Sequence, residues 1–152
     1  MLSAAVAAHK PAYVVLETAN AFTNKLLNKF KRNSDYINKI IGREQALSQM
    51  TPTTLLIVVD VFRPVITELP ELLEKTENVV VIDHHRKNAE YITNASLAYH
   101  EPSASSASEM VTELLQYIND GASISPPVAE ALYAGIELDT KSFTFKLSLI
   151  HI

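Results

Sequence analysis

A three-layer α/β fold, with a parallel sheet and helices on both faces, is the architecture this chain of 152 residues predicts. Three observations carry it. Apolar runs at 12–16, 54–59 and 79–82 lack polar alternation, the habit of strands buried on both faces of a parallel sheet. Each run ends on polar residues: Glu17, Asp60, and Asp83 with His84 and His85. Stretches with helical spacing separate the runs, and such alternation is the signature of βαβ units with right-handed crossovers.

The elements follow in order. Residues 2–9 are Ala-rich and helical in propensity but short and without an N-cap residue, so they read as the end of a helix. Pro11 breaks it, and the strand at 12–16 follows. Phe22, Leu26, Leu27 and Phe30 recur at helical spacing, with Lys25, Lys29, Lys31 and Arg32 as the solvated face. A turn at Asn33-Ser34-Asp35 leads to 36–49, whose apolar positions suit a helix interrupted by Gly42. The strand at 54–59 reaches Asp60, a short helix opened by Pro70 spans 68–75, and the strand at 79–82 reaches Asp83. Residues 95–99 are a further strand. Ser105 or Ser106 with Glu109 forms a helix entrance before Met110, Val111, Leu114, Leu115 and Ile118, ended by Gly121. Small residues and free amides at such a start suit a phosphate, and a plain capped helix fits as well. Ser125-Pro126-Pro127 opens the last helix, which runs to Leu138.

Composition removes several classes of function. With 47% hydrophobic and 20% charged residues, the chain is an ordinary globular domain. A net charge of −4 and no basic run exclude electrostatic recruitment of duplex nucleic acid. The absence of Cys excludes disulfides, thiolate metal sites and cysteine nucleophiles. No apolar run approaches the ~20 residues of a membrane span, and no signal peptide is visible, so a soluble, cytoplasmic domain is expected.

The chemistry is expected at the carboxyl ends of the strands, where open α/β sheets place their ligands. Asp60, Asp83 and Asp139, the last closing the stretch 135–140, are grouped here as strand-end acids with His84. Carboxylates crowded together repel one another unless a cation neutralises them. Oxygen donors with one or two imidazoles suit Mn²⁺ or Mg²⁺, and a pair of such ions can clamp a phosphoryl group and activate water. Each acid also has a plainer reading, Asp60 and Asp139 as caps of a turn or helix. Arg63 reads either as an ion pair or as a phosphate contact, and His9 and His100 have no assigned role.

Val-Ile-Asp-His-His-Arg at 81–86, Val-Val-Asp at 58–60 and Gly-Ile-Glu-Leu-Asp-Thr at 135–140 resemble the DHH family of phosphoesterases. Arg63-Pro64, the Ser-rich stretch 101–106 and Asp139-Thr140-Lys141-Ser142-Phe143 look like its branch of membrane-anchored bacterial cyclic di-AMP phosphodiesterases of the GdpP type. The resemblance implies a Rossmann-like N-terminal domain and a site with two Mn²⁺, Mg²⁺ being the other candidate. It makes Asp60, His84 and Asp139 metal ligands, Asp60 bridging. His85 would contact the substrate phosphate, and Asp83 would hold His84. Arg63, Ser105 and Ser106 are substrate-binding candidates. The partners implied are a cyclic dinucleotide and, as a homodimer, a second copy, with no membrane contact by this chain itself. The family's opening His-x-x-x-Asp-x-Asp motif is not in this chain, so residues 1–146 read as a partial DHH domain, catalytically silent alone. Residues 147–152, with His151, read as a tail encoded by a sequencing adapter. The competing readings are a DHH enzyme for short oligoribonucleotides or nucleotide bisphosphates, and a non-catalytic α/β module holding a nucleotide or one ion.

Overall fold

Val79, Val81 and Ile82, almost fully buried, form the hub of the molecule. A computed structural model describes residues 1–86, 89–118 and 124–145. The elements run α1 (Leu2–Ala7), β1 (Val14–Val15), α2 (Ala21–Lys31), β2 (Ile40–Ile41), α3 (Arg43–Gln49), β3 (Leu56–Val59), β4 (Val79–Asp83), β5 (Leu97–His100), α4 (Ala107–Tyr117) and α5 (Pro126–Asp139). Every strand pairing is parallel, as expected, but the strands form two sheets, β1-β2 and β3-β4-β5.

The central strand β4 is buried on both faces, which explains its unbroken run of β-branched residues. Successive side chains of a strand point to opposite faces. Ile82 and Val80 pack with Ala4 of α1 and with Met110, Val111 and Leu115 of α4. Val79 and Val81 pack the other way, against Phe62, Leu73 and Ile92. The second face is therefore covered by loops and by 3-10 turns at Pro64–Ile66 and Pro70–Glu74, where a short α-helix over 68–75 is expected from the sequence. Pro64 and Pro70 each open their turn, and the tighter 3-10 winding suits such short connectors.

Two more expectations are corrected. The strand at 12–16 pairs only over Val14–Val15 and is half exposed, because its single ladder is to the two-residue β2. The helix read over 36–49 is instead a turn at Tyr36, the strand Ile40–Ile41 and then α3. Gly42 separates them in extended conformation, and the carboxylate of Glu17 accepts the Arg43 N–H at 2.6 Å in place of a local cap. Together Ile41, Ala46, Leu69, Leu72, Val15 and Leu56 form the cluster that joins the small sheet to the large one. The α2 helix starts where its N-cap Asn20 accepts from the Thr23 N–H at 2.8 Å, and its Lys29 pairs with Glu130 of α5. Gly121 and the tail 147–152 lie outside the described residues.

Candidate metal centre

Register brings the site together. Val59 pairs with Ile82, and Asp83 with His100, so β3, β4 and β5 finish at one edge. Asp60 is the next residue on its strand and donates its N–H to the Ile82 carbonyl at 2.9 Å. Its φ of 66° is left-handed, a conformation that Asp tolerates better than most residues and that recurs at functional sites.

His84 leaves the end of β4 and is buried, at 6% exposure. Its Nδ1 faces the Ala104 carbonyl oxygen at 3.3 Å. A carbonyl accepts only, so the proton belongs on Nδ1 and the Nε2 lone pair is free, the arrangement usual for a histidine that holds a metal. Nε2 lies 3.3 Å from Asp60 Oδ1 and 3.7 Å from Asp139 Oδ2. Asp139 is not at a strand end: it is the last residue of α5, and the packing of α5 on α4 carries it to the cluster. Thr140 behind it is fully buried and donates its hydroxyl to the Ile136 carbonyl at 2.7 Å.

Asp83 faces His85 instead of His84. The backbone turns at once after β4, so the Asp83 Oδ1 accepts both the His85 N–H, at 2.8 Å, and the His85 Nδ1, at 2.7 Å. The His85 ring stands 4.5 Å from that of His84 and 6.5 Å from that of Phe62, between centroids, and half of its side chain is exposed. The His85 carbonyl is contacted by His100 Nε2. Arg63 is an ion pair, its Nη2 2.7 Å from Glu90 Oε2. Ser105 and Ser106 form a cap: Ser106 Oγ accepts the Glu109 N–H at 3.0 Å, while the Ser105 N–H and hydroxyl donate to Glu109 Oε2 at 2.7 and 2.5 Å. All three residues are buried, and both polar groups of Ser105 are taken up by the Glu109 carboxylate. Sequence reasoning assigns no role to His100, whose contact is set by pairing of β5, or to the Ala104 carbonyl, which carries no side-chain signal.

Donor atoms of Asp60, His84 and His85 lie within 4.8 Å of one another. Burial raises the Asp60 carboxyl above its ordinary value and the charge of Asp139 raises it further, while His84 and His85 pull the other way. Asp139 also sits at the negative end of the α5 dipole. Burial and the neighbouring acids outweigh the two histidines at Asp60, and an oxygen–imidazole donor set fits a hard or borderline divalent cation.

Fold and cluster together define a parallel α/β domain with carboxylates and imidazoles at its strand ends that could hold a cation. The chain belongs to the DHH family: residues 3–136 match the DHH family, N-terminal domain. It is 44% identical over 139 residues to the cyclic-di-AMP phosphodiesterase GdpP of Geobacillus thermodenitrificans, covering 90% of this chain and 21% of that protein. To the cyclic-di-AMP phosphodiesterase PdeA of Listeria monocytogenes it is 39% identical over 137 residues, covering 89% and 21%. A probable manganese-dependent inorganic pyrophosphatase of Thermotoga maritima is 37% identical over 83 residues, 55% of this chain and 14% of that one. Among solved structures, an exopolyphosphatase-related protein from Bacteroides fragilis shares the fold, with a TM-score of 0.71, 21% identity, and coverage of 92% of this chain and 40% of the other. The chain thus spans about a fifth of the length of the two cyclic-di-AMP phosphodiesterases.

Proposed function

We propose that this chain, as one domain over 1–146 with an appended tail at 147–152, is the metal-holding part of a manganese-dependent phosphodiesterase that hydrolyses cyclic di-AMP to the linear dinucleotide. The observation that carries the reading is His84 Nε2 between Asp60 Oδ1 and Asp139 Oδ2, at 3.3 and 3.7 Å. Kinship with two cyclic-di-AMP phosphodiesterases supports the substrate, and the manganese-dependent relative supports the ion.

Asp60, His84 and Asp139 would hold Mn²⁺, or Mg²⁺ as the other ion these donors suit. The chemistry such an ion supplies is activation of water and neutralisation of phosphate charge. Ala104 holds His84 in the tautomer that presents Nε2. Asp83 orients the His85 ring through Nδ1, and with both ring nitrogens protonated Nε2 would donate to a phosphate oxygen. Hydrolysis then adds water across one P–O bond, leaving the phosphate on one nucleotide and a hydroxyl on the other. No helix among the described residues is long and apolar enough to cross a membrane, so a membrane anchor of the parent protein would lie outside them.

Three protein ligands suffice for one ion, so the chain alone is expected to bind one Mn²⁺ and to leave cyclic di-AMP intact. An electron paramagnetic resonance titration checks this, with His84→Ala expected to weaken binding by about tenfold or more. Equal affinity in both proteins would sink the metal site. In the full-length parent, His84→Ala should abolish release of the linear dinucleotide; a parent that cleaves short oligoribonucleotides but not cyclic di-AMP would reassign the substrate.

A further inference from the structure

We infer that the entrance of α4, from Ala104 through Ser108, is the gauge that sets the separation of His84 and Asp139, with Gly135 and Ser108 as positioning residues. The inference rests on the cation site proposed above. His84 and Asp139 belong to different elements and share no strand ladder, yet both are referred to the entrance of α4, His84 to the loop just before its N-cap and Asp139, through α5, to Ser108 in its first turn. His84 reaches it through its Nδ1, 3.3 Å from the carbonyl of Ala104, two residues before the N-cap Ser106. Asp139 reaches it through α5. A Cβ added at Gly135 would lie 2.1 Å from Ser108 Oγ and 3.0 Å from Ser108 Cβ; rotation of the hydroxyl relieves the first contact but not the second, so a side chain at 135 pushes α5 away from α4.

Glycine in a helix interior is normally unfavourable, since it loses the most conformational freedom on folding. Gly135 stands inside the fourteen-residue α5, where close approach to Ser108 is what its missing side chain provides. Asp139 lies four residues on, about one turn, so the two share a side of the helix. A helix moves as a unit over one turn, and a displacement at 135 is delivered at 139. The turn that receives this contact is braced from within. Ser106 Oγ accepts the Glu109 N–H, and Ser105 donates twice to the buried Glu109 carboxylate. Ala104, Ser105, Ser106 and Ala107 are themselves buried, so the turn has little room to shift. One small, rigid surface thereby fixes both ligands, and the 3.7 Å between His84 Nε2 and Asp139 Oδ2 is its output.

The test compares the wild-type chain with Gly135→Ala, Ser108→Gly and the double variant, at a temperature where circular dichroism shows each folded. Mn²⁺ affinity is read by electron paramagnetic resonance, and the His84–Asp139 separation by crystallography. Gly135→Ala should weaken Mn²⁺ binding by about tenfold, the scale of losses when a ligand's support is disturbed. It should also lengthen the separation, although alanine favours the helix itself. Ser108→Gly removes both obstructing atoms and should restore affinity in the double variant to within about threefold of wild type. Wild-type affinity in Gly135→Ala, or a loss that Ser108→Gly does not recover, overturns the inference. If Gly135→Ala does not fold, Ser108→Cys places a larger atom in the same contact, and unchanged affinity there overturns it equally. A wild-type chain that binds no Mn²⁺ would defeat the cation site instead. The crystallographic separation then decides alone, and an unchanged distance in Gly135→Ala counts against the gauge.

Discussion

Asp60 concentrates the electrostatics of the site in one side chain. Its carboxyl is raised by partial burial and then by Asp139, so the folded state holds its proton more tightly than the unfolded state does. For an acid shifted in this direction, ionisation costs stability. The penalty is absent below the unfolded pKa, grows as pH rises through the window up to the folded pKa, and is complete above it. Asn tolerates the left-handed conformation at this position and carries no charge. Asp60→Asn should therefore raise the thermal midpoint of the metal-free chain near pH 7, with the gain fading as pH falls below about 4, the range in which the unfolded carboxyl also takes up its proton. Thermal unfolding in chelator across that range checks it; a gain that persists undiminished in acid would contradict the assignment. The residue types Asp60, Asp83, His84 and His85 are legible in the sequence. Which histidine Asp83 holds is not, because His84 and His85 are adjacent and the turn after β4 decides which ring comes back to the carboxylate.

Helix starts were the readable elements, and short strands the unreadable ones. The Ser106 and Glu109 pair sits three residues apart before an apolar stripe, and the N-cap appears where that spacing predicts it. Ser106→Ala should cost about 1 kcal/mol, the usual worth of such a cap, measured by urea unfolding. A loss much larger than that would mean the buried Glu109 network fails with it. By contrast, Ile40-Ile41 satisfies helical and strand spacing alike, and only pairing with Val14–Val15 chooses the strand. Asp139 is grouped with the strand ends although the helix before it is legible to Leu138, because only the packing of α5 on α4 says that a helix end, and not a strand end, meets His84.

Across the whole molecule, one strand connects core and chemistry. Ile82 is about 1% exposed, packs against Ala4, Met110, Val111 and Leu115, and accepts the Asp60 N–H on its carbonyl. Ile82→Ala should destabilise the fold by about 2–5 kcal/mol, and Ile82→Val by about 0.5–1.5 kcal/mol. Denaturant unfolding measures both, and a smaller loss for the alanine variant than for the valine one would show that Ile82 is not the hub. The sequence alone determined the parallel α/β class, through uninterrupted β-branched runs, and the residue types of the cation site, through acids and histidines at the ends of those runs. Only the tertiary structure decided that two sheets form, that Asp139 arrives on a helix, that Asp83 serves His85, and that Ser105 and Ser106 are spent on a cap. Each of these depends on contacts between residues far apart in the chain, and spacing along the chain encodes only which face a side chain occupies, never what that face meets.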